Sequence, residues 1–396
     1  MTYPHGHARC LWTIARLWVV TALALLACGR VFAQTELELP VNERGDINGA
    51  PYAIQIPENW NGGLMIFVRG MVLEDGKPMW QPPFVVLPFR GERIYNGPMI
   101  AAFERGFAIA QCTYSRKGWY LREAVIETEM LRQHFHRKYG PTSPTLLCGN
   151  HGGAVLNYTI MEMYPDSYDG AIPWGGFALP SYDGVKISGF DLRLLFDHFF
   201  PGLPGSVVEF PEGHDTYQAV FKKVPELVAQ NPDMLEVFLH EYHVENVERL
   251  ARKLALASEW LRQLSVDHGL GNVFDNTKTV YRFGPDSAKL NREIPRYAGD
   301  PKAREYLLHW LDVTGKIEAP ILAVNSLYDP IMDTNWLRLY DHLTKHRGTG
   351  HLYAQMWIDR ESVSHTLAHG RKALDILLEW LESGEPPQSG ELVVDE

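Results

Sequence analysis

Between residues 51 and 177 the chain alternates short, nearly unbroken apolar runs with stretches of helical period, and no other feature narrows its fold as much. A continuous apolar run must be covered on both faces, which is the situation of a strand in a parallel sheet sandwiched by helices. YAIQI (52–56), LMIFV (64–68), GFAIAQCT (106–113), TLLC (145–148) and GAIPW (170–174) read as strands, the last kept short by Pro173. Residues 121–138 carry Leu121, Val125 and Leu131 at helical spacing, and a second helix carries Leu156, Ile160 and Met163. The rhythm breaks at 181–316, a largely helical and aromatic segment that reads as an inserted cap. It resumes with strands at 320–325 and 351–358 and an amphipathic helix at 366–382. The expected division is a core in two parts, 34–180 and 317–384, a cap at 181–316 and a loose polar tail at 385–396.

The first residues read as an address. Arg9 and Arg16 precede LWVVTALALLA (17–27), an apolar run of eleven, too short to cross a bilayer and suited to a signal-peptide core. Val31-Phe32-Ala33 before Gln34 fits a cleavage site, giving a signal peptide of residues 1–33 and a secreted or periplasmic protein. The alternative is a lipoprotein, with LLAC (25–28) supplying a lipid anchor at Cys28. No second apolar run reaches eighteen residues, so no membrane span is expected. A net charge of −11 argues against nucleic acid as a partner, and four cysteines without a CxxC pair give no zinc or redox motif.

GNHGG (149–153) stands between an expected strand and an expected helix. In that context GxSxG makes a nucleophile elbow, a tight strained turn that lifts its middle side chain above the sheet. Here the middle residue is His151. The remaining stations occur in chain order: SLYDP (326–330) places Asp329 after the next-to-last strand, and DRESVSH (359–365) places His365 after the last.

With these residues the chain resembles the α/β-hydrolase superfamily, and more closely its exported bacterial esterase-like branch, related to tannases and feruloyl esterases. The resemblance runs from about Tyr52 to Pro387. It rests on YAIQIPENWNG (52–62), TYSRKGW (113–119), the elbow, NTKTVY (276–281), RYAGDP (296–301), TGKI (314–317) and the Asp329 and His365 stations. It implies an α/β-hydrolase fold, with a mostly parallel sheet and a helical cap inserted before the next-to-last strand. It also implies a catalytic set of His151, Asp329 and His365, with an oxyanion hole from the backbone N–H groups of Met71 and Gly152. Two departures stand out: His151 replaces the nucleophilic Ser, and Arg69-Gly70 replaces the His-Gly usual after the third strand. Backbone donors need no particular side chain, so the hole survives both. The same resemblance puts Cys112 and Cys148 two strand spacings apart, roughly 10 Å, too far for a disulfide.

An imidazole titrates near neutrality and is itself a base and nucleophile. The helix N-terminus beneath the elbow favours neutral His151, while Asp329 behind His365 favours the charged form there, so the rings divide base and acid roles. The leading expectation is hydrolysis of an ester or related acyl bond in a small-molecule substrate. The alternatives are a lyase, hydratase or isomerase step using the same pair, and an inactive binding protein of the same fold. A metal held by His151, His365 and Asp329 is disfavoured because Asp329 belongs behind His365. No cofactor is expected. Arg69 either meets a carboxylate of the protein or holds an acidic substrate. Phe190, Phe199 and Phe200 follow the sixth strand, where a cap roofs the pocket, and favour an apolar or aromatic substrate. HEYH (240–243) lacks the i, i+4 spacing of a zinc helix, and His369 reads as a helix-surface residue. Ser115 is a structural residue on the resemblance rather than a substitute nucleophile.

Overall fold

The computed structural model describes residues 37–70, 97–116, 118, 120–176, 178, 181–211, 216–329, 334–359 and 366–394. The expected signal peptide (residues 1–33), Cys28 as the alternative lipid-anchor candidate, Met71 and His365 lie outside these residues. From Pro40 onward the chain forms one compact unit.

Nine strands make one open sheet in the order β1-β2-β4-β3-β5-β6-β7-β8-β9. They are β1 (Val41–Ile47), β2 (Ala50–Ile56), β3 (Leu64–Val68), β4 (Ala108–Cys112), β5 (Thr145–Asn150), β6 (Gly170–Trp174), β7 (Ile321–Ser326), β8 (Tyr353–Ile358) and β9 (Gly390–Glu391). β2 runs antiparallel to β1 and β4, and the pairs from β4 to β9 are parallel. With the crossover that puts β3 between β4 and β5, this is the α/β-hydrolase fold. The helices are α1 (Gly97–Glu104), α2 (Leu121–Tyr139) and α3 (Gly152–Met163) before the insertion. Within it come α4 (Ser181–Val185), a π-helical turn (Lys186–Asp191), α5 (Leu192–Phe199), α6 (Thr216–Val228), α7 (Pro232–Glu241), α8 (Val247–Arg262), α9 (Ser287–Glu293) and α10 (Pro301–Trp310). α11 (Thr334–Leu337), α12 (Leu339–Arg347) and α13 (Leu367–Ser383) follow. Among the described residues no helix is long and apolar enough to cross a membrane.

The central strands are buried at every position but Phe67 in β3 and Asn150 in β5, as continuous apolar runs require. On one face Met65, Ile109, Leu146, Ile172 and Leu322 meet Ala101 and Ala102 of α1 and Leu374 and Leu377 of α13. β6 and β7 are direct neighbours, paired at Ala171↔Ile321 and Trp174↔Val324, so the helices from α4 to α10 leave and re-enter the sheet at adjacent strands. Cys112 and Cys148 sit on β4 and β5 with β3 between them, and both are buried free thiols. Burial pushes the Cys112 thiol up to about 12.

The tail is a correction. Residues 385–396 are not uniformly loose, because Gly390–Glu391 pairs with β8. Leu392 is buried in the core cluster, and its N–H donates to the Trp357 carbonyl at 2.7 Å. The Gln355 N–H donation to Ser389 Oγ at 3.0 Å adds a third tie. β1 is an addition to the expected strands, joined to β2 by the two-residue turn Asn48-Gly49, both with positive φ (55° and 88°).

Candidate active site

β5 ends in the turn that presents His151. The residue has φ 47° and ψ −113°, a backbone state that side-chain-bearing residues rarely adopt. Its neighbours hold it there. The His151 N–H donates to the Trp174 carbonyl at 2.9 Å, and its carbonyl accepts from Val155 N–H at 3.0 Å. Three glycines let this turn lie backbone against backbone on the end of β3. A Cβ on Gly153 would stand 2.1 Å from the Val68 carbonyl oxygen, one on Gly149 2.8 Å from the same oxygen, and one on Gly70 2.9 Å from Gly153 N. Gly152 opens α3, so its N–H is among those left without an intrahelical acceptor.

Asp329 follows β7. The Leu327 N–H donates to the Ile358 carbonyl at 3.1 Å, and Tyr328 N–H donates to the buried Ser326 Oγ at 2.9 Å, fixing the turn just before the carboxylate. The Asp329 side chain is fully buried, whereas that of His151 is 28% exposed. His151 Nε2 lies 3.7 Å from Asp329 Oδ2, within ion-pair reach and beyond hydrogen-bond length. Asp329 therefore touches the elbow imidazole itself, a contact that chain order did not indicate. Gly175, at φ 64°, leaves room for the pair: a Cβ there would stand 3.4 Å from Asp329 Oδ2 and 3.7 Å from His151 Nε2. Its N–H donates to the Val324 carbonyl at 2.8 Å. The only sequence sign of this was the Gly175-Gly176 pair directly after a strand.

Arg69 follows β3 and is 4% exposed. Its charge lies among Tyr114 and Cys112, and burial lowers its pKa from the ordinary guanidinium value. Tyr114 pins the Arg69 peptide unit on both sides. The Arg69 N–H donates to Tyr114 Oη at 3.0 Å, and that hydroxyl donates to the Arg69 carbonyl at 3.1 Å. Tyr114 adopts φ 60° to do so, and burial raises its own pKa. Tyr114 stands in TYSRKGW (113–119), a segment that carries the resemblance, but its contact with Arg69 was not legible there.

The aromatic candidates pack within the insertion. Phe190 is fully buried against Phe274 and Tyr297, with ring centroids 5.8 and 6.2 Å away. Phe200 is buried against Phe196 and Phe238, and half-buried Phe199 meets Phe238 and Phe283. Ser115 is engaged by Glu127, which accepts from both its hydroxyl and its N–H. His240 is exposed on α7 and His243 lies beyond the end of that helix. His369 is not on the surface: it is 3% exposed, and its Nδ1 accepts the Thr366 N–H at 3.1 Å in a capping box at the start of α13.

No curated protein matches the sequence. Among solved structures the chain is similar to 2,6-dihydroxy-pseudo-oxynicotine hydrolase, at 12% identity over 88% of this chain and 71% of that one, with a TM-score of 0.44. It is also similar to feruloyl esterase B from Aspergillus oryzae, at 11% identity over 88% and 80%, with a TM-score of 0.45. Residues 47–224, the part of the chain that contains β3, the elbow and α3, match the model of a family described as the Tannase-like family of unknown function (DUF6351).

Proposed function

We propose that the chain is a hydrolase of esters or related acyl bonds in which His151 activates water directly. The observation that carries this reading is the contact of a carboxylate-backed imidazole, partly open to solvent, on a strained strand-to-helix turn. In a serine elbow the base must be brought to the hydroxyl. Here base and orienting acid are already adjacent, so no hydroxyl nucleophile is needed. His151 takes a proton from water as the oxygen attacks the acyl carbon. The resulting oxyanion is held by the Gly152 N–H and, on the α/β-hydrolase resemblance, by that of Met71. Collapse breaks the bond to the leaving oxygen, which receives the proton through imidazolium; His365, placed after β8 in the chain, is assigned to this return. The products are a carboxylic acid and an alcohol. Export, with a signal peptide ending at Ala33, belongs to the same reading.

The test is hydrolysis of p-nitrophenyl acetate and of a methyl ester of an aromatic acid. His151→Ala is expected to lower kcat by about 10²–10⁴-fold, the range for a lost general base, with Asp329→Asn lowered in the same direction. Hydroxylamine is expected to trap no acyl-enzyme. Full activity in His151→Ala would remove the imidazole from the chemistry, and a trapped acyl-imidazole would replace water activation by covalent catalysis.

A further inference from the structure

A concavity of about 520 Å³ lies within the insertion, between residues 277–282 and α9. Lys278, Arg282 and Arg296 line it and no carboxylate does, on a chain whose net charge is −11. Arg296 is committed to the fold. Its guanidinium donates to the carbonyls of Asn276 and Thr279 and to Asn291 Oδ1, and lies over the Tyr281 ring. Lys278 and Arg282 are different: among the described residues they make no hydrogen bond or ion pair. Beside them Val280 is 74% exposed, the most exposed large apolar side chain described.

The wall is held in place before any ligand arrives. Tyr281 N–H donates to Asn291 Oδ1 at 2.9 Å, Asn291 Nδ2 donates back to the Tyr281 carbonyl at 2.6 Å, and the Tyr281 hydroxyl donates to Asp191 at 2.7 Å. That buried acid is matched by Lys186, which reaches both its oxygens at 2.8–2.9 Å, so it does not cancel the cations of the groove. Asp286, the next acid along the chain, caps α9 through Lys289 N–H. Two uncommitted cations beside one uncovered apolar side chain, on a rigid frame, make a surface complementary to a charge carried on an apolar body.

We propose that this groove binds a small organic carboxylate, its charge between Lys278 and Arg282 and its apolar body on Val280. Its lining shares no residue with the His151 turn. Calorimetric titration of the full chain with benzoate, acetate and inorganic phosphate tests it. Benzoate is expected to bind saturably, and more tightly than acetate or phosphate, in the wild type and equally in His151→Ala. Lys278→Ala with Arg282→Ala is expected to weaken benzoate by about fivefold or more, as two exposed charge contacts together allow. Val280→Ser is expected to weaken benzoate while sparing acetate. All three residues are on the surface, so the variants should keep the wild-type Tm. Undiminished benzoate binding in the double variant, phosphate binding as tight as benzoate, or no saturable binding would each overturn the proposal. None of these results bears on hydrolysis at the elbow.

Discussion

Replacing Gly153 by Ala adds one methyl group where the elbow leans on β3. The new carbon would stand 2.1 Å from the Val68 carbonyl oxygen and 3.0 Å from the Arg69 carbonyl carbon and Gly70 N, all backbone atoms that cannot swing aside. Carbon-to-oxygen contacts of this kind settle at roughly 3.3 Å or more, so the turn and the strand end must part by about 1 Å. Overpacking of this size costs about 1–3 kcal/mol, and the better helix propensity of Ala returns about 1 kcal/mol. The net loss of stability is therefore modest. Activity should respond more strongly, since a misplacement of about 1 Å in a reacting group costs on the order of 100-fold. The assay pairs urea unfolding with p-nitrophenyl acetate hydrolysis, using Gly390→Ala, whose Cβ meets nothing within 4 Å, as the control. Unchanged kcat together with unchanged stability in Gly153→Ala would refute the close approach and the role of the turn in placing His151.

Two further outcomes follow from the supports around the sheet. Burial pushes the Glu43 carboxyl up, but donation from Lys138, Tyr139, Tyr52 and His134 outweighs it and holds the group at about 2, below its ordinary 4.5. The stability this provides is fully present above about pH 4.5 and is lost as pH falls towards 2. The gap in unfolding free energy between wild type and Glu43→Gln should shrink by about 3 kcal/mol across that window, and a pH-independent gap would contradict the assignment. Tyr114→Phe leaves the buried N–H and carbonyl of Arg69 without their hydroxyl partner. It is expected to cost about 1–3 kcal/mol in urea unfolding and to lower kcat, with wild-type stability as the result against it.

The interior strands could be read from the sequence because their buried positions are mostly apolar, as LMIFV in β3 shows; buried Gln111, Thr145, Asn325 and Ser326 interrupt the runs near strand ends without hiding them. β1 escaped that reading: VNERGDI carries charge along an edge, and its signal was the Asn48-Gly49 turn rather than any run of hydrophobic residues. Of the site, the positions of His151 and Asp329 followed from chain order. Their mutual contact did not, since it depends on how far the turn after β7 folds back over β6 at Gly175. His369 looked like a surface residue because His is an uncommon partner in a capping box. In the structure it is buried and paired with Thr366.

The far end of α3 carries a fixed carboxylate. Glu162 accepts from the N–H groups of Thr314 and Gly315, from the Thr314 hydroxyl and from the Tyr340 hydroxyl. Thr314 and Gly315 lie just where the chain comes back from its helical excursion to rejoin the sheet at β7. α3 thus works as a strut of twelve residues, about 18 Å long, with the turn that carries His151 at one end and the returning chain held at the other. Remodelling of the excursion over evolutionary time is constrained by that strut, because a change that drags residues 314–315 also tilts the platform beneath residue 151.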